Sequence, residues 1–175
     1  MKNKFFCLFL VLILSAISLS AQYCDSLELL ANCFEGQYNY VAHRDTLMYI
    51  ATANSVIAYN IKNPDSAVRL QRTYVNYDIK LLYAYKNYLI ISSDSKTRIY
   101  DVSNPKDMLL LSTINYSCSD VHITSGYLYL VRSGTIFIYN VSDMTNPIYI
   151  KSFSIYSSYS GARIDVYGTR LYACV

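Results

Sequence analysis

The chain has 175 residues, 53% of them hydrophobic and only 15% charged, with 20 tyrosines and no tryptophan. Its formal net charge is +3, but setting aside Lys2 and Lys4 in the apolar N-terminal stretch reduces 15 basic side chains to 13, against 12 acidic ones. Arg44, Arg69, Arg72, Arg98, Arg132 and Arg163 are scattered, and without a concentrated basic face a nucleic-acid partner is excluded.

Lys2 and Lys4, an unbroken apolar run from Phe5 to Leu14 and the small-residue end Ser18-Leu19-Ser20-Ala21 give residues 1–21 the form of a secretory signal peptide. The apolar run is shorter than the roughly 20 residues of a membrane span, so no span is expected once the signal is removed. The protein is therefore expected outside the cell or at its surface. Acylation of Cys24 is not expected, because Tyr23 rather than a small residue precedes it.

Beyond the signal stand Cys24, Cys33, Cys118 and Cys174. An exported chain permits disulfides, and four cysteines allow three pairings. Cys24 and Cys33 close a short loop and are the preferred pair, a bridge contributing roughly 2–4 kcal/mol. The alternative reading of Cys118 and Cys174 is that they are small buried residues. Neither a Cys-x-x-Cys nor a nearby histidine pair offers a zinc site, and no cofactor or metal is expected.

Residues 22–40 form an N-terminal segment in which only Asp25-Ser26-Leu27-Glu28-Leu29-Leu30-Ala31-Asn32 has helical character. Asp25 or Ser26 is placed to cap a turn or two, with the Glu28 charge near the positive end of the dipole.

From Val41 onward the chain repeats itself with a period near 40 residues, in units of about 41–81, 82–120, 121–163 and an incomplete 164–175. A fixed period of this length marks an array of supersecondary units. Each unit opens with a short apolar stretch and a polar tight turn, at Arg44-Asp45, Lys86-Asn87, Ser125-Gly126 and Tyr167-Gly168-Thr169. An aromatic-rich strand follows, such as Tyr88-Leu89-Ile90-Ile91 or Tyr127-Leu128-Tyr129-Leu130. A third strand ends in Asn60, Asp101 or Asn140, and a fourth comes after the prolines Pro64, Pro105 and Pro147. Each unit reads as a four-stranded antiparallel meander.

The third strands are apolar on both faces. Val56 and Ala58, Ile99, and Ile136 and Ile138 lie on one side, while Ile57 and Tyr59, Tyr100, and Phe137 and Tyr139 lie on the other. A sheet with one wet face alternates apolar with polar, so these sheets must be covered on both sides. Stacking them radially gives a β-propeller. The expected fold is all-β, a partial propeller or open arc of about three blades plus the start of a fourth.

The run Thr97-Arg98-Ile99-Tyr100-Asp101-Val102-Ser103-Asn104-Pro105, set after Tyr88-Leu89-Ile90-Ile91, resembles the LVIVD repeat of secreted bacterial and archaeal proteins. The first copy departs from it as Asn60-Ile61-Lys62-Asn63-Pro64, and the third reads as inserting Met144 and Thr145 before its proline. The resemblance covers roughly 41–175 and implies a propeller-type fold without a general enzymatic assignment. In the turn itself, the Asp101 carboxylate is placed to accept from backbone N–H groups two residues on, with Asn60 and Asn140 in the same role. Metal binding by Asp101 with Asp107 or Asp94 is the alternative, but the other copies lack an equivalent charge cluster.

His43 and His122 are the only histidines. Asp120, His122 and Asp165 fall on the opening strands of successive units, which converge in a propeller, and form a candidate binding site. Tyr116, Tyr156 and Tyr159 are candidate recognition tyrosines in inter-blade loops, suited to protein or glycan contacts, although tyrosine is also a good strand residue. No nucleophile, base and orienting group stand out as a catalytic set. The expected function is a noncatalytic binding or scaffolding module. The alternative is a secreted propeller enzyme acting on glycans or peptides, with Asp120, His122 and Asp165 at its mouth. An incomplete array is also expected to expose apolar faces at both ends, with no polar cap at the C-terminal end. Truncation from a longer propeller, completion by another chain or self-association through open blade faces would follow.

Overall fold

The computed structural model describes residues 39–63, 65–155, 162–168 and 170–174. They belong to the compact unit Cys33–Val175, one of two in the chain. The expected signal peptide, the short helix at Asp25–Asn32, the Cys24–Cys33 pair, Tyr156 and Tyr159 lie outside the described residues.

The described residues are all-β. β1 (Tyr40–Arg44), β2 (Leu47–Ala51), β3 (Ser55–Asn60) and β4 (Val68–Tyr74) make the first four-stranded sheet, in chain order. β5 (Leu81–Tyr85), β6 (Tyr88–Ser92), β7 (Thr97–Asp101) and β8 (Leu109–Ile114) make the second. β9 (Asp120–Thr124), β10 (Tyr127–Arg132), β11 (Thr135–Asn140) and β12 (Ile148–Ser154) make the third, and β13 (Arg163–Tyr167) with β14 (Arg170–Cys174) a two-stranded fourth. Every neighbouring pair is antiparallel. The arrangement is the expected partial propeller. Its sheets open one residue earlier than the expected units, at Tyr40, Leu81, Asp120 and Arg163.

Two-residue loops join the first and second strands of each sheet, since Arg44 faces Leu47, Tyr85 faces Tyr88, Thr124 faces Tyr127 and Tyr167 faces Arg170. Ser125 and Gly126 have φ of 50° and 80°, and positive φ at both central positions is the type I′ turn that matches strand twist. A Cβ at residue 126 would also come within 3.1 Å of the Ser142 hydroxyl, so both the positive φ and the close contact favour glycine there. Ser133 and Gly134, at 46° and 69°, form a second such turn between β10 and β11.

A bulge recurs at one place in all three complete blades. Pairing between the third and fourth strands slips after Ala58, Ile99 and Ile138, leaving Leu70, Leu111 and Ile150 as the extra residues. Leu70 packs against the core between blades 1 and 2, and Leu111 against the core between blades 2 and 3.

The turn before each fourth strand is also repeated, and here the structure corrects the sequence reading. Asn60, Asp101 and Asn140 accept from the N–H groups of Lys62, Ser103 and Ser142 at 2.8, 2.7 and 2.9 Å. A second set follows, in which Asn63, Asn104 and Asp143 accept from the N–H groups of Asp65, Lys106 and Thr145. Asn63, Asn104 and Asp143 each stand five residues before a fourth strand, so the third copy contains no insertion. Met144 occupies the slot of Pro105, and the proline has moved three residues on. The exchange is functional for packing: Met144 is buried in the core between blades 2 and 3, and its carbonyl accepts from the Ser112 hydroxyl at 2.7 Å.

Three apolar layers lie between successive sheets. Ala42, Val56 and Ala58 meet Leu82, Leu89, Tyr100 and Val102 between blades 1 and 2. Leu81, Ile90 and Ile99 meet Val121, Ile123, Leu128, Tyr139 and Val141 between blades 2 and 3. Val131, Ile136 and Ile138 meet Ala162, Ile164 and Leu171 beyond blade 3. Burying each such side chain is worth about 1.5–3 kcal/mol, so these layers hold the arc together. The opening strands neighbour one another in turn, β1 by β5, β5 by β9 and β9 by β13, and so form its inner edge.

The face of blade 1 turned away from blade 2 differs from expectation. On the far face of blade 1, Ile50, Ile57 and Tyr59 are buried, clustered with Met48, Ile61 and Ala67, rather than exposed. At the other end, the outward face of β13 and β14 carries Arg163, Asp165, Tyr167, Arg170, Tyr172 and Cys174, all exposed. Cys174 therefore departs from the buried role expected for it, because it stands on the outward side of the last described strand, whereas Cys118 is buried.

Candidate functional site

Pairing on the sheet puts Asp120 and His122 on the face of β9 turned toward β13, since the intervening Val121 and Ile123 point into the core shared with blade 2. On β13, Ile164 faces the core shared with blade 3, leaving Arg163 and Asp165 on the opposite, outward side. Of the expected trio, His122 and Asp165 pair with each other, while Asp120 engages Ile164 and Arg163. Asp120 Oδ2 accepts from the Ile164 backbone N–H at 2.7 Å, and Asp120 Oδ1 lies 3.8 Å from Arg163 Nη1. His122 Nδ1 lies 3.4 Å from Asp165 Oδ1.

The two aspartates do different work. Asp120 is 18% exposed and both its oxygens are engaged, so it fastens β13 to blade 3. Asp165 is 77% exposed and also accepts from the Val166 N–H at 2.8 Å, so its pairing with His122 is wet and contributes little to stability. Tyr83 of β5 completes the row, its ring centroid 6.4 Å from that of His122. Burial pushes the Tyr83 phenol up, opposed by a hydrogen bond at the Ile123 backbone, so it remains a neutral hydroxyl near neutrality.

A cavity of about 680 Å³ opens beside this row, at the end of the arc where inter-blade connections meet hairpin loops. Asp120 and Arg163 line it, whereas His122 and Asp165 do not. Its remaining polar wall comes from Lys80, Asp94, Arg132 and the serines 93, 117, 119 and 133, and Tyr40 and Tyr83 add aromatic surface. Arg163 Nη1 donates to the Ser119 carbonyl at 3.0 Å, and Lys80 Nζ stands 3.8 Å from Asp94.

The cavity floor is held by a buried polar seam. Thr97 Oγ1 donates to the Tyr116 carbonyl at 2.8 Å, and the Cys118 N–H donates to Ser92 Oγ at 2.9 Å. These bonds tie the β6–β7 hairpin to the connection between blades 2 and 3. They also account for the burial of Thr97 and Ser92, which would be costly unpaired. Burial raises the Cys118 thiol pKa, partly offset by hydrogen bonds with Thr97 and Ser92, making it a poor nucleophile at the cavity wall.

Tyr116 is not part of the trio. Its ring stacks on Phe137 with centroids 5.3 Å apart, and the Arg132 guanidinium lies 5.4 Å from its centroid. It lines a separate hollow of about 330 Å³ with Tyr139 and Pro147. Several tyrosines are structural: Tyr49, Tyr59, Tyr100 and Tyr139 are buried, and the Tyr77 hydroxyl meets that of Tyr100 at 2.7 Å beneath Arg98. The Asp101 carboxylate is likewise committed to its turn, accepting from both the Ser103 N–H and the Ser103 hydroxyl.

Sequence reasoning missed Arg163 and Arg132, which it counted only as scattered charge, and did not single out Lys80. One signal was available for the first. Arg163 and Asp165 stand 43 residues after Asp120 and His122, so complementary pairs occupy the same two slots on consecutive blades.

No protein-family model matches the sequence, and neither does any of the curated proteins. Solved structures do share its fold. The computationally designed Ika4 protein is similar with a TM-score of 0.64 at 9% identity, over 85% of this chain and 92% of that one. A functionally unknown protein from Desulfotomaculum acetoxidans DSM 771 is similar with a TM-score of 0.54 at 16% identity, over 69% of this chain and 40% of that one. The N-terminal domain of Nup159 is similar with a TM-score of 0.52 at 13% identity, over 75% of this chain and 36% of that one. The chain thus spans well under half the length of the latter two. At these identities the likeness concerns the fold alone.

Proposed function

We propose that this chain is an exported, noncatalytic binding or scaffolding module of the LVIVD-repeat type, acting outside the cell or at its surface on a protein or glycan. The observation that carries the reading is the cavity at the inner end of the arc. It is open and walled, among the described residues, by hydroxyls, aromatic surface and charges of both signs. Such a wall suits hydrogen-bonded recognition of a polar ligand. The test is binding of the purified chain to glycan and peptide arrays, followed by the Arg132→Ala variant, whose side chain lines the cavity and stands over the Tyr116 ring, with circular dichroism to check its fold. Specific binding that Arg132→Ala weakens supports the reading.

The enzymatic alternative draws on one observation, the His122–Asp165 pair at 3.4 Å. Turnover of a glycan or peptide that disappears in both His122→Ala and Asp165→Ala would replace the proposal with that alternative.

A further inference from the structure

Among the described residues, the cavity beside β9 is lined by three cations, Lys80, Arg132 and Arg163, and by two carboxylates, Asp94 and Asp120. Two of the cations are matched. Lys80 Nζ stands 3.8 Å from Asp94, and Arg163 Nη1 stands 3.8 Å from Asp120 while donating to the Ser119 carbonyl at 3.0 Å. The second Asp120 oxygen is taken by the Ile164 N–H. Arg132 instead meets the Tyr116 ring, its guanidinium 5.4 Å from the centroid, and has no carboxylate partner among the described residues. An aromatic face attracts the charge but supplies no oxygen acceptor to the five N–H donors. Ser117 and Ser133 line the same cavity, and neither hydroxyl enters a hydrogen bond among the described residues. Lys80, Asp94, Ser117, Arg132 and Ser133 all belong to blades 2 and 3 and the connections beside them, within the array rather than at either end of it.

We propose that this cavity takes an acidic glycan, the carboxylate of a uronic acid on Arg132 and sugar hydroxyls on Ser117 and Ser133. The proposal rests on the reading of the cavity as a binding site and adds the charge and class of its ligand. A cationic ligand finds both carboxylates already paired, whereas a carboxylate finds a guanidinium whose planar fork matches it in two parallel hydrogen bonds. A sugar carries hydroxyls on most of its ring carbons and so can use the two serines as well, while an acidic side chain of a peptide brings a carboxylate alone. The Tyr40 and Tyr83 rings, also in the wall, offer flat surface to the C–H side of a sugar ring. The volume of about 680 Å³ is that of a small-ligand site.

The probes are trisaccharides of galacturonate, mannuronate and glucuronate, their neutral methyl esters, and triglutamate, each titrated into the full chain by calorimetry. At least one uronate is expected to bind, and its methyl ester about tenfold or more weaker. Arg132→Gln is expected to bring the uronate down to the affinity of its ester while leaving the ester unchanged, with Arg132→Lys between the two. Circular dichroism checks the fold of both variants. Added salt should weaken the uronate and spare the ester. Equal binding of acid and ester, or an equal loss of both in Arg132→Gln, overturns the acidic ligand and leaves the cavity as a site for a neutral one. Triglutamate binding that needs Arg132, without uronate binding, overturns the glycan in favour of an acidic peptide. Absence of binding by all the uronates overturns the proposal as well, and the array experiment then decides separately whether the cavity binds anything.

Discussion

Asp120 on β9 accepts a 2.7 Å hydrogen bond from the backbone N–H of Ile164 on β13, so one carboxylate oxygen joins the last two-stranded sheet to the blade before it. Its other oxygen faces Arg163 at 3.8 Å. Removing the carboxylate leaves a partly buried N–H without its acceptor. Asp120→Ala is expected to cost on the order of 1–3 kcal/mol, and Asp120→Asn, which keeps a carbonyl oxygen, distinctly less. Urea denaturation of the variants provides the measurement, and equal losses in the two would show that the bond to Ile164 is not what matters.

The repeated turn predicts an ordering among substitutions at Asp101. Because Asn60 and Asn140 make the same bond in the other blades, Asp101→Asn is expected to be tolerated while Asp101→Ala lowers the thermal midpoint by a few degrees. Thermal melts of the two variants settle the comparison.

Acid should act on the same turns. Hydrogen bonds from the Ser103 hydroxyl and then the Ser103 N–H hold the Asp101 carboxyl below its ordinary value, and Thr145 does the same for Asp143. A carboxyl whose pKa is lower in the folded state binds fewer protons there than when unfolded. Its contribution is therefore fully present above the unfolded value near 4 and is lost as pH falls through the folded value. Stability is expected to decline below about pH 4, with a shallower decline in an Asp101→Asn, Asp143→Asn double variant. Denaturation midpoints between about pH 2 and 6 test the slope.

The inter-blade layers and the exposed strand β12 should respond oppositely to truncation. Ile99 is fully buried between blades 2 and 3, and Ile99→Ala is expected to cost about 2–5 kcal/mol. Ile148 is 58% exposed on β12, and Ile148→Ala should change stability by less than about 0.5 kcal/mol. Comparable losses at both positions would mean that β12 is covered in solution.

The two described cysteines are expected to differ in reactivity. Cys174 is exposed, whereas Cys118 is buried and its thiol pKa raised, so little thiolate forms near neutrality. Peptide-resolved alkylation at pH 8 should label Cys174 rapidly and Cys118 only on unfolding.

The meander, its hairpin loops and the Asx turns were legible because each depends on a few neighbouring residues. A run that is apolar on both faces, as in Ser55–Asn60 or Thr135–Asn140, announces a strand covered on both sides, and Gly126 announces its own turn. Asp120 and Asp165 were legible as neighbours, since the repeat places them on adjacent opening strands. Their unequal roles were not. Whether a carboxylate fastens two sheets or stands in solvent depends on which backbone N–H the adjoining strand offers, and that strand lies some 43 residues away.

The sequence by itself determined the all-β class, the strand order and the need for sheets stacked face to face, because local alternation and turn chemistry specify these without reference to distant residues. Only the tertiary structure decided that Met144 takes the slot of Pro105 and enters the core. It also decided that Cys118 is buried while Cys174 is exposed, and that Ile150 and Phe153 on β12 are exposed where Leu111 and Ile114 of blade 2 are drawn into the core. Each of these depends on what one blade lays against the next. An apolar residue has the same chemistry in every blade, and solvent or a neighbouring strand beside it makes it surface or core.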